Sequence, residues 1–332
     1  FEKFLRKRIF MTSFSYNSRN MNVIVSDITF QSVSGLAEIS ALSYKPEDES
    51  QIRAVFQIAH GMAEHKERYD KFARRLAENG FAVYINDHLG HGKSVANEDQ
   101  LGFFGDTDGW KHFVEDCHQL LVIAKEQNPN KPCIFFGHSM GSFVCRAFTF
   151  KYYKELVGCV VCGTSGPNAG ASAGVGVASA TSKMKGDHHR SSFIDNMAFG
   201  GYNKKFEGKT NFDWLTRDEE EVRKYIEDPL CGFIFTANGY RDLFSLLNYV
   251  NSGDWFKNYP KQFPMLLISG TEDPVGSYGA GVEKVRKKLE KQGKTDVTMK
   301  LYEGGRHEIL NDSQLFDTIF ADILAWATPL LQ

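Results

Sequence analysis

The pattern that most limits how this chain can fold is Gly137-His138-Ser139-Met140-Gly141, set between the apolar run Pro132 to Phe136 and a stretch of helical period. If that run is a buried strand, the serine sits on a sharp strand-to-helix turn, where flanking glycines let the backbone fold tightly and leave the hydroxyl exposed. A nucleophile needs that placement. The pentapeptide alone decides little, because at this glycine content it arises by chance in roughly one chain in five, and Gly170-Ala171-Ser172-Ala173-Gly174 is a second copy. Context separates the two. After Ser139 the apolar residues Met140, Phe143, Val144, Ala147 and Phe148 share one helical face, whereas Ser172 lies in Gly/Ala-rich sequence with neither a strand before it nor a helical face after it. Ser172 reads as loop or lid.

The elements around the elbow alternate. Val23 to Phe30 and Leu36 to Tyr44 read as a hairpin, followed by a buried strand, Ala54 to Ala59, and a helix whose apolar face is Tyr69, Phe72, Ala73 and Leu76, stopped at Gly80. Phe81 to Ile85 is a strand, Trp110 to Ala124 an amphipathic helix, and Gly158 to Cys162 a further strand. The sheet resumes at Pro264 to Ser269 and Val297 to Tyr302, separated by a Lys-rich helix with Val282, Val285 and Leu289 on its inner face. Leu315 to Trp326 forms the last helix. This alternation predicts an α/β fold with a mostly parallel sheet and helices on both faces.

Between Gly163 and about Ser252 the alternation breaks. The stretch is too long for a loop and reads as an inserted helical cap, with Thr216-Arg217-Asp218-Glu219 as a capping box opening a helix that closes before Pro229. Its aromatic residues, among them Trp214, Phe233, Phe235 and Tyr240, supply the cap's own core and part of a substrate pocket. The expected division is a core over 21–163 and 253–332, a cap over 164–252, and an N-terminal extension over 1–20. That extension reads as a disordered tail or as sequence upstream of a native start at Met11 or Met21; its Phe and Lys/Arg mixture makes a peripheral membrane contact the alternative.

With 332 residues, 27 Phe and 13 Tyr the chain can build a sizeable core and still offer apolar surface to a ligand. A formal charge of −2 gives no electrostatic reason to expect a nucleic-acid partner. Cys159-Val160-Val161-Cys162 is formally a Cys-x-x-Cys, but both cysteines lie inside a strand and read as core thiols. No run of 18 apolar residues suggests a membrane helix, and a cytoplasmic protein is the default.

Serine is a poor nucleophile at neutral pH, so it requires a base and an acid that holds the base in the right tautomer. Gly270-Thr271-Glu272-Asp273-Pro274 follows one late strand and Gly304-Gly305-Arg306-His307 the next, so both loops open at the carboxyl edge where the elbow opens. The chain order Ser139, Asp273, His307 follows. Asp273 is preferred to Glu272 because the residue before Pro274 is held extended, which can aim a short side chain at the histidine. Two backbone donors are needed for the developing oxyanion, and the amides of Met62 and Met140 are the candidates. His60 braces its loop, and His88 and His91, without carboxylate or cysteine companions, read as loop residues and not metal ligands. His188 and His189 read as surface.

At these residues the chain resembles the α/β-hydrolase superfamily and, within it, the monoacylglycerol lipase and lysophospholipase group, also grouped with serine aminopeptidases. The resemblance rests on His60-Gly61-Met62-Ala63-Glu64-His65, Asp87-His88-Leu89-Gly90-His91-Gly92-Lys93-Ser94, Gly137 to Gly141, Glu272-Asp273-Pro274 and Gly305-Arg306-His307, and covers roughly residues 23 to 330. It implies the α/β-hydrolase fold, a triad of Ser139, Asp273 and His307, an oxyanion pair of Met62 and Met140, no metal or organic cofactor, and a small-molecule ester substrate with an apolar acyl chain. Ala63 stands where this group tends to have Gly, and the cap has no close counterpart. The alternatives are peptidase action on small N-terminal residues and a non-catalytic binding module. A peptidase should carry acidic groups near the pocket for a free amine, and Glu219 to Glu221 read instead as an exposed helix face.

Overall fold

The computed structural model describes residues 22–206 and 208–332. The expected extension over 1–20 lies outside them. The chain forms eight strands: β1 (Val23–Gln31), β2 (Glu38–Pro46), β3 (Ala54–Ala59), β4 (Phe81–Asn86), β5 (Cys133–His138), β6 (Gly158–Cys162), β7 (Met265–Gly270) and β8 (Val297–Tyr302). They make one sheet in the order β1-β2-β4-β3-β5-β6-β7-β8, parallel from β4 through β8, with β1 and β2 added as an antiparallel hairpin. The helices are α1 (Asp70–Ala77), α2 (Gly109–Gln127), α3 (Met140–Tyr152), α4 (Ala169–Lys185), α5 (Ser192–Phe199), α6 (Glu219–Glu227), α7 (Ala237–Val250), α8 (Gly253–Asn258), α9 (Ala280–Lys291) and α10 (Phe316–Ala327).

Strands β3 to β7 are buried at every residue, as a parallel sheet covered on both faces requires. Their side chains divide with a period of two. Phe56, Ile58, Val83, Ile134, Phe136 and Ile268 pack under α1 and α10, while Val55, Tyr84, Phe135, Val161 and Leu267 pack under α2, α3 and α9. Cys159 and Cys162 are unpaired, buried thiols that belong to opposite faces. The edge strands differ: β1 and β8 alternate between exposed and partly buried residues, as strands with one open side do.

Helices α4 to α8 lie between β6 and β7, and here two expectations are corrected. The Gly/Ala-rich stretch around Ser172 is not a loop but the 17-residue helix α4, capped by the Asn168 side chain on the Gly170 amide at 2.8 Å. Its buried stripe is Ala171, Gly174, Ala178 and Ser182, small residues that let α7 approach closely; a Cβ on Gly174 would lie 2.7 Å from the Phe244 ring. Such a stripe has little hydrophobicity, so the periodicity is weak in sequence. In α6 the N-cap is Asp218, whose carboxylate accepts from the Glu220 and Glu221 amides, while Thr216 Oγ1, two residues earlier, accepts from the Asp218 amide. The N-cap thus lies two residues later than the pattern indicates, and its amide is taken by Thr216.

Candidate active site

Ser139 joins β5 to α3 with φ 54° and ψ −121°, a left-sided conformation that strains any side-chain-bearing residue. Two glycines hold it there. A Cβ on Gly137 would collide with the Gly141 carbonyl, and a Cβ on Gly141 with the Ala59 carbonyl. The pentapeptide's glycines are therefore required by backbone contact between β5, α3 and β3. The Ser139 amide donates to the Cys162 carbonyl at 3.0 Å, tying the turn to the end of β6. Ser139 itself is only partly buried.

Asp273 and His307 arrive from the ends of β7 and β8. Asp273 is fully buried; its Oδ1 accepts from the Val275 amide at 2.9 Å and faces His307 Nδ1 at 3.0 Å, and its Oδ2 accepts from Ser269 Oγ at 2.9 Å. Burial alone would raise this carboxyl, yet the facing imidazole and the two donors hold it below the usual carboxylate range. Glu272 does not compete, since its half-exposed side chain lies 4.0 Å from Arg306. The His307 ring lies 4.8 Å from that of His138, the residue before Ser139, and 5.2 Å from that of Trp214. A Cβ on Gly163, at the end of β6, would stand 3.1 Å from the His307 ring. The sheet edge thus carries Ser139 at the end of β5 and the paired Asp273 and His307 at the ends of β7 and β8.

The loop after β3 flanks the serine from the other side. A Cβ on Gly61 would lie 3.1 Å from Ser139 Cβ, so the backbone at Gly61 passes directly beside Ser139. Met140 opens α3, where amides lack intrahelical acceptors. His60 braces this loop: its Nδ1 bonds the Gly61 carbonyl at 2.8 Å and its Nε2 accepts from the His88 amide at 2.9 Å. Burial, with His91 nearby, lowers its pKa to about 3, so the ring is neutral. His88 and His91 are buried against Phe113 and Phe104, and His188 is exposed, stacked on Phe103.

A buried ionic network behind these loops was not anticipated. Glu64 Oε1 accepts from the Gly61 amide at 2.5 Å and Tyr69 Oη at 2.9 Å, and its Oε2 accepts from Arg68 at 2.6 Å. Arg68 also forms a two-pronged pair with Glu308, at 2.7 Å on each prong, and Tyr69 Oη lies 3.0 Å from His138 Nδ1. One network therefore reaches the Met62 loop, the residue before Ser139 and the residue after His307. Burial opposes ionisation of Glu64 and Glu308, but the Arg68 guanidinium holds both below the ordinary range. The available sequence signal was the Glu64/Arg68 spacing of four, although Glu64 lies just before the helical residues. Nothing local points to Glu308, which meets Arg68 from 240 residues away. The inserted helices join the site through backbone bonds from the His307 and Glu308 amides to the Trp214 and Leu215 carbonyls, at 3.3 and 2.6 Å.

With this geometry in place, comparison with known proteins is informative. The profile of the family described as serine aminopeptidase, S33 matches residues 50–314, which contain every site residue from Met62 to His307. The chain belongs to that family. Among known sequences, it is 29% identical to the monoacylglycerol lipase of Mycolicibacterium smegmatis over 82% of this chain and 88% of that protein, and 25% identical to human monoglyceride lipase over 83% and 82%. Among solved structures, a thermostable carboxyl esterase from Bacillus coagulans superimposes with a TM-score of 0.86 at 30% identity, covering 93% of this chain and 99% of that one. The Saccharomyces cerevisiae monoglyceride lipase superimposes at 0.71 with 18% identity, covering 96% and 99%, a likeness of fold. This S33 member accordingly has the α/β-hydrolase fold. Among the described residues no helix is long and apolar enough to cross a membrane.

Proposed function

We propose that this chain cleaves lipid-type carboxylic esters, monoacylglycerols or lysophospholipids, through an acyl-enzyme on Ser139. Carboxylic ester hydrolysis rests on the family and on the carboxyl esterase and lipase relatives; the residue roles rest on the geometry. The single observation that carries them is the buried Asp273–His307 pair at the same sheet edge as the strained Ser139. His307 accepts the Ser139 hydroxyl proton as the oxygen attacks the ester carbonyl, and Asp273 keeps the proton on Nδ1 and balances the imidazolium. The Met62 and Met140 amides receive the developing oxyanion. Collapse of the tetrahedral intermediate expels the alcohol, which takes the proton from His307. Water then repeats the sequence on the acyl-enzyme, releasing the carboxylic acid and restoring Ser139.

The substrate class is supported by the residues the insertion brings to this edge. Trp214 lies against His307 and stays partly exposed, as does Phe233 beside His91, whereas Phe235 and Tyr240 are fully buried and form the insertion's own core. Residues 164–252 form a cap in this reading, over a core of 21–163 and 253–332. Ser139→Ala should abolish ester hydrolysis and fluorophosphonate labelling, and retention of either would remove Ser139 from this role. A panel of nitrophenyl esters of rising acyl length, with monoacylglycerol, lysophospholipid and aminoacyl substrates, tests the class. Turnover confined to short acyl chains would leave a general esterase, and preference for aminoacyl substrates a peptidase.

A further inference from the structure

We propose that His65 Nε2, Asp228 Oδ2 and Cys231 Sγ form a site for one zinc ion that ties the helical insertion to the loop carrying Met62. The three side chains meet across a boundary. His65 lies three residues after Met62, while Asp228 and Cys231 lie on the turn that ends α6. Their ligand atoms all lie within 4.8 Å of one another. Tetrahedral zinc with sulfur and nitrogen ligands places donor atoms about 3.3–3.8 Å apart, so small side-chain adjustments suffice.

Both halves of the site are held in advance. Asp228 Oδ1 accepts from the Leu230 amide at 2.8 Å, and the Cys231 amide donates to the Asp228 carbonyl at 3.0 Å, so residues i and i+3 of this turn are fixed relative to each other. The Gly232 amide and Tyr225 Oη both donate to the Ala63 carbonyl, at 2.9 and 3.1 Å, which docks the turn on the Met62 loop. On the His65 side, Glu67 Oε2 lies 2.7 Å from Nδ1. A carboxylate on the second ring nitrogen is the arrangement that orients zinc-ligating histidines.

Charge decides what sits between Nε2 and Asp228. With Nδ1–H given to Glu67, a neutral ring presents its Nε2 lone pair to Asp228 Oδ2 at 2.8 Å, acceptor to acceptor. A ring proton on Nε2 satisfies that contact in the metal-free protein, and zinc would take that proton's place. Carboxylates are in excess here: Glu64, Glu67, Asp87, Asp228 and Glu308 face Lys66, Lys93 and Arg68. A groove of about 740 Å³ lined in part by His65, Glu67 and Asp228 gives the ion access and room for a non-protein fourth ligand. Binding exchanges the Cys231 thiol proton and any Nε2 proton for Zn–S and Zn–N bonds, the protons passing to solvent with no change of oxidation state. Cys231 thiolate and imidazole select zinc over calcium or magnesium, which prefer oxygen ligands.

The test is zinc binding by the purified, phosphine-reduced full chain in competition with a chromogenic chelator, with cobalt(II) as a spectroscopic probe. One equivalent should bind wild type, and Cys231→Ser and Asp228→Asn should each weaken it by at least about tenfold. Cys133→Ser, at a buried thiol at the start of β5, should not. A near-ultraviolet thiolate–cobalt band should appear in wild type and vanish in Cys231→Ser. Metal-free melting temperatures of each variant confirm folding, and because the readout is metal, failure of the proposed esterase activity would not affect it. Absence of binding by wild type at about 100 μM zinc, or retention of it in either ligand variant, overturns the site.

Discussion

Replacing Asp273 by Asn tests the acid–base pair with little change of shape, and the hydrogen bonds around this residue set the size of the expected effect. Oδ1 is shared by two donors, the Val275 amide at 2.9 Å and His307 Nδ1 at 3.0 Å, while Oδ2 meets the Ser269 hydroxyl at 2.9 Å. The Val275 amide can only donate, so an asparagine must place its carbonyl oxygen at the Oδ1 position. Its NH2 group then faces Ser269 Oγ, which rotates to accept. In that orientation His307 keeps its proton on Nδ1 and its lone pair on Nε2, and only the negative charge opposite the imidazolium is lost. A charge-assisted bond exceeds a neutral one by about 1–2 kcal/mol, and the missing anion in a buried site adds about 1 kcal/mol more. A total of about 2–3 kcal/mol corresponds to a fall in kcat/KM of about 30- to 150-fold. The reversed orientation would present NH2 to Nδ1, invert the tautomer and cost about 10⁴-fold. Ester hydrolysis measured beside fluorophosphonate labelling rates, with melting temperatures as the folding control, decides the matter. A loss beyond about 10³-fold in a folded variant would refute the orientation argument, and one below about threefold would refute the pairing itself.

Gly141→Ala should lower stability by about 2–4 kcal/mol, read as a fall in Tm, because the new methyl meets the fixed Ala59 carbonyl of β3 and no flexible side chain can yield; an unchanged Tm would contradict that contact. Glu64→Gln should destabilise by about 1–3 kcal/mol at pH 7, since Arg68 keeps its Glu308 partner. Glu64 is depressed in the folded protein, so its contribution is present above its unfolded value of about 4.3 and is lost as pH falls through the folded value. The variant's stability should therefore flatten against pH on the acid side, measured by denaturant unfolding from pH 7 to pH 3. Asp242 has the opposite sign: burial pushes its carboxyl up to about 7, and its Oδ2 has no partner among the described residues. The folded state binds the extra proton between about pH 4 and 7, so stability declines as pH rises through that window. Asp242→Asn should raise stability by about 1–2 kcal/mol at pH 8 and by less at pH 5, and an equal gain at both would refute the assignment.

What local sequence determined is the part governed by short-range rules. The buried strands were legible as continuous apolar runs, and β3 and β6 span the residues their patterns indicate, because a covered parallel strand has no polar face to blur its ends. Helix α9 buries Val282, Val285 and Leu289 as its period requires. The glycines around Ser139 carry their backbone requirement in their identity, and chain order alone placed Asp273 and His307 at the end of consecutive parallel strands. Helix α4 was missed because its packing depends on the absence of side-chain volume, which yields no hydrophobic stripe until the Phe244 ring is seen against Gly174. Tertiary structure supplied the burial and hydrogen bonds that pair Asp273 with His307, a choice over Glu272 that Pro274 already favoured in the sequence. It alone brought Glu308 to Arg68, Trp214 to His307 and Cys231 to His65, contacts between segments whose separation in sequence leaves no local trace. A turn or a strand is written in neighbouring residues, whereas a charge network depends on side chains that only the completed sheet makes neighbours.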